Sequence, residues 1–400
     1  MTNKLFPQDI REPELSMRRR TPVRRAVLTA VSAALLISGT NLYGQGCIVA
    51  RSSSMNGGPE TEGGYLSPGE FQFSTGLRHQ FSFRHFVGDV EQKQRVAQGT
   101  QIMNKVNLLN FNLDYQLSHR FSLQVDAPLL LASRRAHNSP YTTTAQGVGD
   151  VIVSAQGWMF DPRENSKGNV GFTLGAQLPA GSDRVTNVVD KLDGKGPVST
   201  LVDYSIQPGS GGYGIVFGWQ SFKNFGSAAQ VYFNGSYIAT PQNTNGVVRS
   251  LTAKPLLQQV SISDQYLLEA GVAVPVHKVR GLSLTLGPRW EGVPAKDLIG
   301  GNDGFRRSGY AVSIEGGAQY AYKRQLFTAT IGRALLRDRT RSYPDRVYGA
   351  HGDAAFADYL WLASYSVRFG GTHSSHHSMP MPDSDAAHHD AKKPVAACGD

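Results

Sequence analysis

The chain has 400 residues, 40% hydrophobic and 10% aromatic, with a mean hydropathy of −0.29. No stretch approaches the 18 or more apolar residues of a membrane-spanning helix, which excludes an ordinary helical membrane protein but not a β-barrel, whose alternating strands average to a polar composition. Of the 40 basic and 31 acidic side chains, seven and three fall in residues 1–46, and the remaining 33 against 28 form no dense basic stripe, so nucleic acid is not an expected partner.

The N-terminus reads as a secretory signal over residues 1–46. MRRRTPVRR (17–25) is a basic n-region, AVLTAVSAALLI (26–37) an apolar h-region and SGTNLYGQG (38–46) a polar stretch ending in small residues. The sixteen residues before Met17 are atypical of such a signal, and Met17 is an alternative start. Cleavage after Gly46 would leave Cys47 first, which raises lipidation. A lipoprotein signal carries an aliphatic residue three positions before its cysteine, however, and Gly44 stands there. Cys47 and Cys398 lie outside every expected strand, so a disulfide-built core is excluded. Whether the two pair in an oxidising periplasm is open. Residues 47–69, rich in Ser, Gly and Pro, read as a lead-in segment.

From residue 70 the chain alternates. FQFSTGLRHQFSF (71–83) puts Phe71, Phe73, Leu77, Phe81 and Phe83 on one face and Gln72, Ser74, Arg78, Gln80 and Ser82 on the other. A period of two is a β-strand with one apolar face, and its length suits a tilted bilayer crossing of roughly 9–11 residues. NFNLDYQL (110–117) and FSLQVDAPL (121–129) repeat the pattern across a tight SHR turn. Further runs follow at 148–160, 170–178, 213–220, 227–237, 266–274, 282–290, 309–320, 325–333 and 359–369. These make twelve runs, an even number. Short turns near 118–120, 221–225 and 322–324 contrast with long connections at 86–104, 133–147, 179–212, 239–262 and 334–355. Short turns at one rim and long loops at the other describe an outer-membrane barrel. The expected fold is therefore all-β: a transmembrane antiparallel up-and-down barrel of about 12 strands over residues 70–370, in contact with outer-membrane lipid. A large soluble sandwich or solenoid would need a core between sheets, and the opposite faces here are too polar to share one.

With the aromatic stripe outward, the lumen receives Arg78, Arg84, Asp114, Asp126, Glu269, Arg289, Glu291, Glu315 and Arg368. Such mixed charge is either a channel lining that selects by field or an ion-pair network that fills the interior, and twelve strands lie between the filled and open cases. No catalytic motif appears. His351-Gly352-Asp353 are neighbours in sequence rather than a triad, and GSGGYG (209–214) opens a strand rather than a phosphate-binding helix. The last 30 residues (371–400) form a His-rich tail in which His373, His376, His377, His388 and His389 accompany Met379 and Met381. Imidazole and thioether suit a loosely held transition metal, but no spacing there fixes a geometry. A soluble tail with incidental histidines is the preferred reading, and no other cofactor is expected. A periplasmic partner bound through this tail belongs to the rival reading below.

Four stretches carry a resemblance. GVGDVIVSAQGWMF (147–160) resembles the Gly-Gly-Asp strand opening of the phenol-degradation-pathway (MetA-pathway) barrels, and DAPLLLASRR (126–135) resembles the segment that precedes it. EGVPAKDLIGGNDGFRRSGYAVSIEGG (291–317) and HGDAAFADYLWLASYSVRF (351–369) resemble a branch of similar barrels. The resemblance implies a transporter-like barrel that passes small, hydrophobic or aromatic molecules, supplies no catalytic residues, and does not extend to the tail or the cysteines. The expected function is such passage, without enzymatic activity, with loops 179–212 and 334–355 gating the outer mouth. The rival is a non-conducting structural or interaction barrel with a metal- or partner-binding tail.

Overall fold

The computed structural model describes residues 65–371. The signal segment, most of the lead-in, both cysteines and the five tail histidines lie outside the described residues.

Twelve long strands form the wall: β1 Glu70–Val87, β2 Ile102–Gln116, β3 Phe121–Ala136, β4 Val151–Trp158, β5 Gly168–Leu178, β6 Gly214–Phe225, β7 Ala229–Ala239, β8 Gln265–Pro275, β9 Leu282–Val293, β10 Gly309–Tyr322, β11 Gln325–Asp338 and β12 Ala354–Gly370. Each pairs antiparallel with its neighbours in sequence, and β12 returns to pair with β1 from Glu70↔Gly370 to Phe86↔Ala354. Closure leaves no free edge, which a sheet in lipid requires because nothing there satisfies an unpaired N–H or C=O. The expected fold class is what the chain adopts.

The two faces separate by exposure. Outward Phe121, Leu174 and Leu286 are 55–60% exposed, while inward Gln124 and Gln156 are 7% exposed. The apolar band on β3 runs Phe121, Leu123, Val125, Ala127, Leu129, Leu131. Ten residue steps at about 3.3 Å span about 33 Å, or about 25 Å once tilted by roughly 40°, the height of a hydrocarbon band. Aromatic clusters bound it. At the rim of short turns Phe71 lies 4.5 Å from Tyr115 and stacks on Phe369 at 5.5 Å. At the other rim Trp290 meets Tyr266 and Tyr310 edge-on at 5.6 and 5.9 Å. Tyrosine and tryptophan, with one polar edge, settle at such interfaces, and Tyr115 and Trp290 supply one at each rim.

The short turns fall at 117–120, 159–167, 226–228, 276–281 and 323–324, the same rim as residues 70 and 370. That rim is periplasmic by the rule for outer-membrane barrels. Gly226 takes φ +58° in its three-residue turn, a left-handed backbone that a side chain would oppose.

The long connections carry smaller elements, among them α1 Lys93–Ala97, α2 Tyr343–Val347, a strand Thr143–Val148 that pairs antiparallel with the outer half of β3, a hairpin of Thr186–Asp190 with Pro197–Leu201, and a pair Thr244–Val248 with Gln259–Ser261. Several strands run further outward than the alternation predicts. β2 begins at Ile102 rather than near 110, and β12 at Ala354 rather than 359. At the outer end of β2 burial still alternates, but the faces change character: inward Val106 and Leu108 are apolar and buried under the loops, while outward Lys105 and Asn107 are polar.

Candidate functional site: a bolted lumen under a loop roof

Midway along the lumen, charged side chains meet. Arg78 of β1 reaches Glu291 of β9 through two hydrogen bonds, 2.6 and 2.9 Å, with both side chains at most 2% exposed. Strands β10–β12 separate β1 from β9 around the wall, so the pair crosses the lumen. Glu291 also accepts two bonds from Arg289, at 3.0 and 3.1 Å. Arg289 donates a short bond to Glu269 and lies 3.6 Å from Glu315, which takes a 2.7 Å bond from Thr330. Two guanidiniums and three carboxylates thus form one network. The fork of Arg78 also holds Gln80 Oε1, which fixes its direction.

The other expected lumen residues are not drawn into this group. Asp126 accepts from Asn110 and Asn112 at 3.0 and 3.1 Å, Asp114 is buried one layer toward the periplasm, and Arg368 donates to Gln72 at the periplasmic end. Arg84 stands at the outer end of β1, where Glu91, Asp358 and Arg337 form a separate rim cluster. His351 and Asp353 do not face each other. His351 meets the Arg339 carbonyl, while Asp353 holds His85 and Arg95.

Beside the bolt lies a cavity of about 120 Å³. Its wall includes Val106, Leu108, Leu130, Ile152, Val216 and Leu267, aliphatic side chains turned into the lumen, with Asp126, Asn234 and Glu269 toward the bolt. The lumen is polar toward the periplasm and gains an aliphatic wall, set among polar side chains such as Gln124, Gln177 and Gln207, where the loops close over it.

The roof is the segment 202–210. Ile206, fully buried, and Val202 pack on Val106, Leu108, Leu130, Ala132 and Ala145. Gln207 bonds the Val185 N–H and the carbonyls of Val185 and Val202. Ser210 donates through its N–H and hydroxyl to Asp150, at 2.8 and 2.6 Å. Gly209 lies so close to Gly181 that an added Cβ would fall 2.1 Å from the Gly181 carbonyl oxygen, so only glycine fits. Asp203 fastens the outer side: Arg307 donates two bonds at 2.7 and 2.9 Å, and Arg134 stands at 3.5 Å. Burial acts to raise the Asp203 pKa, but the two guanidiniums outweigh it and hold the carboxyl well below its ordinary range.

Outside the roof is a vestibule of about 560 Å³, and Ser205 and Gln207 line both spaces. Asp203, Arg134, Arg249, Arg307, Tyr204 and Ile206 are functional candidates that the sequence reading did not single out. Asp203, Tyr204 and Ile206 fall in the 179–212 loop expected to gate the mouth, and Arg134 and Arg307 in stretches that carry the resemblance, but no spacing marks any of them as a site residue.

No family model and no curated protein matches the chain. Among solved structures, the chain is similar to an outer membrane channel from Pseudomonas putida F1, with a TM-score of 0.51 and 15% identity over 77% of this chain and 98% of that one. The shared fold is a closed, antiparallel outer-membrane β-barrel. At this identity the likeness extends to the fold alone. Weaker similarities reach toluene transporters of Ralstonia pickettii (TM-score 0.37, 9% identity, 79% and 93% covered) and Pseudomonas putida (0.38, 9%, 81% and 95%), too low to add to it. The narrower resemblance to phenol-degradation-pathway barrels has no matching family model.

Proposed function

We propose that the barrel passes small, predominantly apolar or aromatic molecules across the outer membrane, from vestibule to cavity to periplasm, with segment 202–210 as the gate. The observation that carries this reading is the aliphatic wall of the cavity inside the lumen. A water-filled pore for ions and sugars has a polar interior, whereas turning Val106, Leu108, Leu130, Val216 and Leu267 inward makes a surface that water wets poorly and an apolar solute covers favourably. In this reading Arg78, Glu269, Arg289 and Glu315 form the barrier against hydrated ions, and Asp114, Asp126 and Arg368 line the exit. Arg84 tunes the outer rim. The role is passage rather than catalysis.

The cross-lumen ion pairs also suit a filled, non-conducting barrel, the second reading. Uptake of radiolabelled toluene and of a radiolabelled sugar by cells expressing the chain separates them. Faster toluene entry with unchanged sugar entry is expected. Toluene uptake equal to that of cells carrying the empty vector, from barrels that are folded in the outer membrane, refutes passage.

A further inference from the structure

The vestibule holds more positive charge than its acids offset. Arg134, Arg135, Lys191, Arg249 and Arg307 line it, against Asp183, Asp190 and Asp203. Asp190 is engaged by the Ser139 hydroxyl and the Leu192 N–H, and Asp183 lies 3.6 Å from Arg184. That leaves Asp203 as the acid shared by the guanidiniums at the roof, and Arg307 and Arg134 already hold it.

Arg249 is different. Its guanidinium carbon lies 3.5 Å from the centre of the Phe305 ring, and among the described residues no carboxylate stands within ion-pair distance of it. Arg307 approaches the same ring at 5.4 Å and Tyr204 at 4.7 Å. Two guanidiniums therefore share one aromatic platform. Stacking fixes the plane of Arg249 without neutralising its charge, and leaves the edge of its fork open to a planar anion. Loss of hydration and, after it, repulsion from Arg307 disfavour the charge of Arg249, and an added anion would relieve the repulsion. Val247, Val260 and Ile262 line the same space. A purely hydrocarbon solute makes no use of the cationic edge, and a small inorganic anion makes none of the apolar wall.

We propose that the vestibule is a binding site for an amphipathic organic acid, its carboxylate held by Arg249 with Arg307 and its apolar or aromatic body against Val247, Val260 and Ile262. The proposal rests on the reading that solutes enter through this mouth, but its test measures binding alone. Calorimetric titration of the full mature chain, folded in a neutral detergent, compares para-butylbenzoate, para-butylbenzamide and sodium acetate. The acid is expected to bind about tenfold more tightly than the neutral amide, as one charge-assisted contact implies, with acetate far weaker than either. Arg249→Gln should reduce the acid to the level of the amide, and Arg249→Lys should restore part of the difference. Equal binding of acid and amide, or an acid affinity unchanged in Arg249→Gln, overturns the proposal. Acetate binding as tightly as the aromatic acid overturns it too, leaving a simple anion site. Arg249→Gln gives up the stack on Phe305, and heat-modifiable gel migration verifies that each variant is folded. Failed toluene uptake with intact acid binding refutes the passage reading only; the converse refutes this one only.

Discussion

Replacing Arg78 by alanine removes the side chain that crosses the lumen, and so tests whether the bolt blocks the channel, braces the wall, or both. Arg78 makes two bonds to Glu291 and two to Gln80, and both it and Glu291 are almost fully buried. Removing one partner of a buried ion pair costs about 3–5 kcal/mol, mostly because the other charge is stranded. Glu291 would keep two bonds from Arg289, which places the expected loss near the lower end, at about 3 kcal/mol. Urea unfolding into lipid vesicles, followed by tryptophan fluorescence, measures it. In planar bilayers the same variant should conduct more, with longer openings, because the long side chain no longer spans the gap between β1 and β9. The double variant Arg78→Met with Glu291→Leu separates the two roles. Its stability should lie closer to wild type than that of Arg78→Ala, since an apolar pair leaves no buried charge. An Arg78→Ala barrel with unchanged urea midpoint and unchanged conductance would refute the bolt altogether.

Four further outcomes are expected. Ile206→Ala should weaken the roof locally by about 2–4 kcal/mol, read as faster amide hydrogen exchange over 202–210 with the wall strands unaffected. Gly209→Ala should loosen the same amides, because its methyl group has no room beside Gly181. For Asp203 the folded pKa lies below the unfolded one, so its clamp is fully present above the unfolded value of about 3.9 and lost only as pH falls further through the folded pKa. Roof protection in the wild type, corrected for intrinsic exchange, should accordingly be flat from neutral pH down to about 5, whereas Asp203→Asn should lose protection throughout that range. Leu174→Arg places a charge on an outward position that is 60% exposed to lipid, at a cost of up to about 4 kcal/mol in urea titrations. A cost near zero would show that this face is not in the membrane.

The wall was legible in the sequence because lipid imposes a local rule. Every residue of a membrane strand faces either hydrocarbon or lumen, so Phe121, Leu123 and Val125 alternate with Ser122, Gln124 and Asp126 within one short window. Strand count, antiparallel order, the rim of short turns and the inward direction of Arg78, Glu269, Arg289 and Glu315 all follow from that period. At the outer ends the inward side chains, such as Val106 and Leu108, become apolar under the loops while outward Lys105 and Asn107 are polar, so the hydropathy pattern inverts and the strands run several residues beyond it.

The site was another matter. That Arg78 faces inward is a matter of parity, but that it meets Glu291, 213 positions away, depends on how the closed sheet curves. The cluster of Asp203 with Arg134 and Arg307 joins three remote segments whose meeting no spacing predicts, and the cavity is roofed only because Ile206 folds down onto Val106 and Leu130. Alternation along the chain determined which face each residue takes. Only the closure of the barrel and the fold of its loops decided which of those faces touch, because contact across a lumen depends on distances that no local pattern encodes.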